Sequence, residues 1–168
     1  MIPGRVALCI FVAWVLQVGL FAQLPVGGAR ADVMIVLGIA AGFVGGPDRG
    51  AIVGFAAGLA IDLVLPTPLG LSAVVYTIVG YLAGRISGTM PRSSWWLPAM
   101  TCAVGSAVGV VLYALVGVIV GEATLSGPPL AAIVAVTAVV NAVLGPAAVR
   151  AMRWSLSSDN PGQRLSTR

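Results

Sequence analysis

Six long apolar stretches, separated by short polar or glycine- and proline-rich interruptions, occupy most of this chain. They cover residues 6–24, 33–46, 51–65, 69–84, 96–120 and 129–149. Apolar runs of this length with few polar positions predict helices buried in lipid or in a helical bundle. At about 1.5 Å per residue, the second, third and fourth would reach only about 21–24 Å, short of the roughly 30 Å hydrocarbon core. The first, fifth and sixth are long enough to cross.

The second and third stretches are separated only by the sequence Gly-Pro-Asp-Arg-Gly at residues 46–50. This composition is typical of a tight turn, so the sequence predicts a short helical hairpin. Two forms of the hairpin are open. It either crosses a locally thin membrane or enters part-way as a re-entrant pair, and the number of crossings is even in both cases.

The overall composition places the chain among membrane proteins. Apolar residues make up 59% of the sequence and charged residues 8%, whereas soluble domains carry about 25% charged residues. We therefore expect an all-α integral membrane protein, a bundle of six transmembrane helices formed by residues 1–150. Residues 151–168 are too polar to fold alone and predict a short disordered cytoplasmic tail.

The basic residues predict an orientation. All nine are Arg, and an N-terminus on the inner side leaves only Arg30 outside. The predicted inner set is Arg5, Arg49, Arg85, Arg92, Arg150, Arg153, Arg164 and Arg168. Positive charge stays on the cytoplasmic side during insertion, so both termini are expected in the cytoplasm. Trp95, Trp96 and Trp154 would then lie at the inner interface, where indole rings prefer to be.

The first stretch has an alternative interpretation as a cleavable signal peptide. Arg5 could be its basic region, and Phe21-Ala22-Gln23 loosely resembles a cleavage site. The apolar run is longer than the roughly 7–15 residues of a signal core, which favours a transmembrane helix.

Small residues recur at four-residue spacing in several stretches. Gly54, Gly58 and Asp62 share one face of the third helix, and this spacing lets helices approach closely. The same spacing relates Gly38, Gly42 and Gly46, then Gly80, Gly84 and Gly88, then Gly105 and Gly109. Two interpretations are open: these faces close the chain's own bundle, or one of them packs on a partner's transmembrane helix.

Asp62 is the one ionisable residue set inside an apolar stretch. A charge in hydrocarbon costs roughly 2.5–3.5 kcal/mol on insertion scales, so Asp62 is a functional-site hypothesis. Near the outer end of its helix it could be hydrated, or bonded to the hydroxyls of Ser72 or Tyr76. Contact with a partner, ligand binding and a proton relay are the alternatives, and the relay lacks a second intramembrane titratable group. Pro66, Pro68 and Gly70 follow and predict a rigid outer corner.

Residues for catalysis or metal binding are scarce. The chain has no His, and its two cysteines, Cys9 and Cys102, lie in different apolar stretches. This pattern predicts no metal, no cofactor and no disulfide, and it offers no nucleophile with a base. Asn141 and Pro146 predict helix packing and a kink in the last helix.

Three segments together resemble a known family. Residues 54–63 (GFAAGLAIDL), 68–73 (PLGLSA) and 80–85 (GYLAGR) are similar, in order and spacing, to the signature region of the rod shape-determining protein MreD family. Asn141, Pro146 and the Arg residues after them resemble that family's last helix. The specific match covers about a fifth of the chain, and the Pro66-Thr67 spacer departs from the family's usual small or polar residues.

The resemblance implies a function that composition alone does not. It implies a non-enzymatic membrane scaffold of the cell-elongation machinery in the bacterial plasma membrane. Such a subunit binds an MreC-like bitopic partner and links the actin-like MreB filament to peptidoglycan synthases, with no nucleic-acid partner. It also implies a bundle like the substrate-binding subunits of energy-coupling-factor transporters. The candidate partner-binding residues are Asp62, Pro66, Pro68, Leu69 and Gly70.

The alternative function is a small solute-binding membrane transporter subunit. Short and glycine-interrupted helices are typical of pockets that open among membrane helices. The polar residues available to such a pocket in the outer loops are Arg30, Asp32, Thr67, Glu122 and Thr124.

Overall fold

A computed structural model describes residues 3–21, 31–64, 68–88, 96–121 and 129–157. Its helices are α1 (Pro3–Leu16, continued by a π-helical segment Gln17–Phe21), α2 (Ile35–Gly45), α3 (Pro47–Asp62), α4 (Leu71–Ser87), α5 (Leu97–Val120) and α6 (Leu130–Leu156). These ranges contain no strand, so the all-helical prediction is confirmed for them. Three helices are long and apolar enough to cross a membrane, Pro3–Leu20, α5 and α6. The chain is therefore a helical membrane protein.

Two predicted boundaries are wrong. The turn expected over residues 46–50 is reduced to Gly46, with φ at +88°, and α3 already begins at Pro47. Proline suits the first helical position because its fixed φ is helical and its missing N–H would be unpaired there. At the other end of the chain, α6 extends to Leu156 and so includes the first six residues of the predicted disordered tail. Residues 158–168 lie outside the described residues.

The short helices α2, α3 and α4 form the tightest part of the fold, and their glycines meet backbone to backbone. A Cβ on Gly38 would lie 2.9 Å from the Gly54 Cα, and one on Gly58 would lie 2.5 Å from the Ala73 Cα. Such separations are closer than a methyl group tolerates, so the helices pack at a distance only glycine permits. Gly42, Gly80 and Gly84 sit at equally close crossings. The glycine faces are therefore occupied by the chain's own helices.

The remaining helices surround this group. α5 and α6 pair with each other, and Gly145 packs against the Cys102 side chain. α1 lies against α3 and α6, and the Trp14 indole N–H donates to the Ala60 carbonyl at 3.0 Å. Pro146 lies inside α6, which continues through it as helix.

Successive helices alternate in direction, so the bundle has two distinct ends. At one, which we call the Arg end, the Arg5 guanidinium donates to the Trp154 carbonyl at 3.3 Å and lies 4.9 Å from the centre of its ring. The described arginines lie toward this end: Arg5, Arg49, Arg85, Arg150 and Arg153. The opposite end, the Asp end, carries Asp32 and Asp62. Arg92 and Trp95 lie outside the described residues, and Trp96 is half-exposed at the Arg end.

Candidate functional site

Asp62 closes the corner between α3 and α4 at the Asp end. Its carboxylate accepts hydrogen bonds from the backbone N–H groups of Gly70 at 2.9 Å, Ser72 at 3.2 Å and Ala73 at 3.2 Å. Ser72 and Ala73 open α4, where backbone N–H groups have no partner within their own helix. Gly70 occupies the N-cap position with φ at +100° and has no side chain to satisfy them. Asp62 therefore caps α4 from the end of α3.

This geometry corrects the expected environment of Asp62. The hydroxyls of Ser72 or Tyr76 were the expected donors to Asp62, whereas its carboxylate accepts from backbone N–H groups instead. Asp62 is only 1% exposed, so hydration at the outer surface is also wrong. A carboxylate at a helix N-terminus is stabilised by these donors and by the helix dipole, which offsets the cost of burial. Asp62 does not itself present a surface to a partner.

The corner between α3 and α4 that Asp62 stabilises does present an exposed surface to a partner. Leu63 is 73% exposed and Leu69 is 71% exposed, one on each side of the turn. Pro68 and Gly70, which flank Leu69, are half-buried. Pro66 and Thr67 lie outside the described residues. We call the exposed leucines together with Pro68 the apolar corner.

A second polar cluster lies beside the cap, around Asp32. The Tyr76 hydroxyl donates to the Asp32 carboxylate, and the Met34 backbone N–H donates to its other oxygen at 3.0 Å. The Asn141 side-chain amide donates to the Asp32 carbonyl at 2.6 Å and to the Ser106 hydroxyl at 2.8 Å. These contacts join the segment before α2 to α4, α5 and α6 at the Asp end.

Gln17 attaches α1 to the same cluster. Its side-chain amide donates to the Ala31 carbonyl at 3.0 Å, and its side-chain oxygen accepts from the Val33 backbone N–H at 2.8 Å. Both bonds satisfy backbone groups of the segment before α2, where no helix pairs them. They therefore hold that segment against the end of α1.

A cavity of about 430 Å³ opens among these polar groups. Polar side chains on its wall come from Gln17, Asp32, Ser72, Tyr76, Tyr113 and Thr137. The rest of the wall is apolar and comes from the π-helical segment, the segment before α2, the end of α3, and from α2, α5 and α6. Among the described residues, the buried hydroxyls of Ser72 and Thr137 have no hydrogen-bond partner, and neither does the side-chain oxygen of the neighbouring Asn141.

The predicted site residues thus separate into three groups. Asp62 and Gly70 build the cap, and Pro68 and Leu69 belong to the apolar corner. The six helix-packing glycines lie at the crossings of α2, α3 and α4, at Gly38, Gly42, Gly54, Gly58, Gly80 and Gly84. Arg30, Glu122 and Thr124 lie outside the described residues. Within the described ranges, no cluster of three or more His, Cys, Asp or Glu residues could hold a metal ion.

Sequence reasoning missed most of the cavity wall. Gln17, Tyr113 and Thr137 were not singled out, because isolated polar residues in apolar helices carry no motif. A signal was nevertheless available in their spacing. Ser72 with Tyr76, and Thr137 with Asn141, are pairs four residues apart that place two polar groups on one helix face.

No protein-family model, curated protein or solved structure matches this chain.

Proposed function

We propose that this chain is a non-enzymatic scaffold subunit of the bacterial cell-elongation machinery, of the MreD type. In this proposal its six helices cross the plasma membrane with both termini in the cytoplasm, and it binds an MreC-like bitopic partner. Through that partner it connects the actin-like MreB filament to peptidoglycan synthases. The proposal rests on the similarity of residues 54–85 to the MreD signature and on how those residues fold.

The segments that carry the resemblance form one structural unit. They supply the second half of α3, part of the capped corner and both ends of α4, including the glycines at the α3–α4 crossings. Two residues of the unit serve the corner: Asp62 caps it and Gly70 adopts the positive φ that it needs. These roles support a rigid corner between α3 and α4 at the Asp end.

The single observation that carries the proposal is the apolar corner. A turn between helices lies toward the membrane surface, where exposed leucines have less hydrocarbon around them than helix faces do. Leu63 and Leu69 are nevertheless mostly exposed there. An apolar transmembrane or juxtamembrane segment of a partner would bury both of them. Since the glycine faces are filled internally, this corner replaces them as the proposed contact.

The proposed orientation is supported by the charge distribution. The described arginines lie toward one end, opposite Asp32 and Asp62. With the Arg end in the cytoplasm, the apolar corner faces the side on which cell wall is made.

The proposal is tested by co-purification of the MreC-like partner with Leu69→Ser. We expect the partner yield to fall about tenfold, which corresponds to ~1.4 kcal/mol of binding free energy. Ile119→Ser is the matched control, because Ile119 is 82% exposed near the same end but on α5. An unchanged yield with Leu69→Ser, in protein that remains inserted and monodisperse, would contradict the proposed contact.

The transporter-subunit alternative is favoured by the cavity at the Asp end. The two functions differ in what the chain assembles with. Recovery of a bitopic partner from native membranes supports the scaffold, whereas recovery of transport ATPase subunits with this chain supports the alternative.

A further inference from the structure

The cavity at the Asp end is larger than a packing defect. It is partly open rather than enclosed, and it has a volume of about 430 Å³. Small-molecule sites typically occupy roughly 300–1,000 Å³ and combine an apolar wall with a few convergent polar groups. The wall here has that character, with Ile35, Ile61 and Ile133 set against the polar side chains.

Two buried hydroxyls on the wall, those of Ser72 and Thr137, lack partners in the part of the chain that the structure describes. Thr137 could have bonded a carbonyl of its own helix, as other threonines here do. Thr77 donates to the Ala73 carbonyl at 2.6 Å and Thr101 to the Leu97 carbonyl at 2.9 Å. Thr137 is equally placed inside a helix, but its hydroxyl makes no such bond. The Ser72 hydroxyl near the start of α4 also has no partner within the described ranges.

A buried polar group without a hydrogen-bond partner costs free energy. This cost restricts the chemistry of a molecule that would fill the cavity. A lipid acyl chain would cover the apolar wall but would leave both hydroxyls without partners. A molecule with polar groups of its own satisfies them and also covers the isoleucines. A wall with this pattern fits an amphipathic occupant.

The charge of the cavity wall further restricts the chemical class of the ligand. Asp32 supplies a carboxylate that accepts from Tyr76 and from a backbone N–H, with no arginine near it among the described residues. An anionic ligand would be repelled by this carboxylate, whereas an amine would donate to it. Tyr76 and Tyr113 add aromatic rings, which favour a cation further.

We propose that this cavity is a binding site for a small amphipathic amine, whose apolar body packs on the isoleucines while its ammonium group donates to Asp32. Hydroxyl groups of the ligand, or its remaining N–H donors, pair with Ser72 and Thr137. The site is separate from the apolar corner, so it goes beyond the scaffold function and does not depend on it.

The test uses the purified full chain in lipid nanodiscs and two probes with the same apolar body. The probes are 2-phenylethylamine and 3-phenylpropionate, with binding followed by ligand-observed NMR and calorimetry. We expect the amine to bind with a Kd of about 1 mM or tighter, as a small fragment would, and the carboxylate to bind at least about tenfold more weakly. Equal binding of the two probes, or no saturable binding of the amine, would overturn the proposal.

Variants assign the binding to the cavity. Thr137→Val keeps the side-chain shape and removes the unpaired hydroxyl, and Asp32→Asn removes the charge; each is expected to weaken amine binding several-fold. Thr101→Val is the matched control, since the Thr101 hydroxyl bonds within its own helix and lies outside this cavity. If Thr137→Val behaves like Thr101→Val and Asp32→Asn also leaves the Kd unchanged, the amine partitions into lipid and the site is wrong. Leu69→Ser should leave amine binding intact, so failure of the scaffold proposal would be distinguishable.

Discussion

Replacement of Asp62 by Ala removes the cap that joins α3 to α4. Two of the three donors to its carboxylate, the N–H groups of Ser72 and Ala73, are buried, and the third, on Gly70, is partly buried. Each buried donor left without a partner costs about 1–3 kcal/mol. Asp62→Ala is therefore expected to lower the free energy of unfolding by about 2–6 kcal/mol. Asp62→Asn keeps one acceptor oxygen and should lower the free energy of unfolding by less.

The assay is unfolding of the purified protein in mixed micelles as the fraction of denaturing detergent rises. Asp48→Ala is the matched control, because Asp48 lies on the same helix but is exposed in its first turn. That change is expected to stay within about 0.5 kcal/mol of the parent protein. If Asp62→Ala and Asp48→Ala unfold at the same detergent fraction, the capping role of Asp62 is refuted.

Two further substitutions test the same corner and its packing. Gly58→Ala should destabilise by about 1–3 kcal/mol or more, because its Cβ would meet the Ala73 backbone at 2.5 Å. Gly88→Ala is the comparison in the same detergent titration, since its Cβ would make only ordinary contacts, and equal effects would contradict the close crossing. Gly70→Ala should destabilise by about 1–2 kcal/mol from backbone conformation alone, because φ is +100° and no heavy atom of the described residues lies within 4 Å of the added Cβ. A neutral result there would contradict the positive φ.

Much of the fold follows from hydropathy along the chain. Each apolar stretch became a helix, because in lipid every backbone polar group must be satisfied within the segment. Helix ends were less predictable. Pro47 begins α3 inside the predicted turn, since a single glycine with positive φ was enough to reverse the chain.

The role of Asp62 could be predicted only in part. Its position beside glycines and prolines indicated a corner, but its partners are backbone N–H groups 8–11 residues away. Those groups come within reach only when the corner has folded around Gly70. Residue types in a sequence do not reveal which backbone groups will be left without partners.

The cavity could be predicted from the sequence even less well than the role of Asp62. Asn141 and Asp32 are 109 residues apart and meet only because α2 and α6 pack side by side. The polar residues of the wall are single positions on different helices. Their convergence depends on helix rotation and depth, which hydropathy does not specify.

The most direct test of the scaffold function is site-specific photocrosslinking in native membranes. A photoreactive residue at Leu69 should crosslink to the MreC-like partner, whereas the same residue at Val143, which is equally exposed on α6, should not. Partner adducts from Val143 with none from Leu69 would contradict the account.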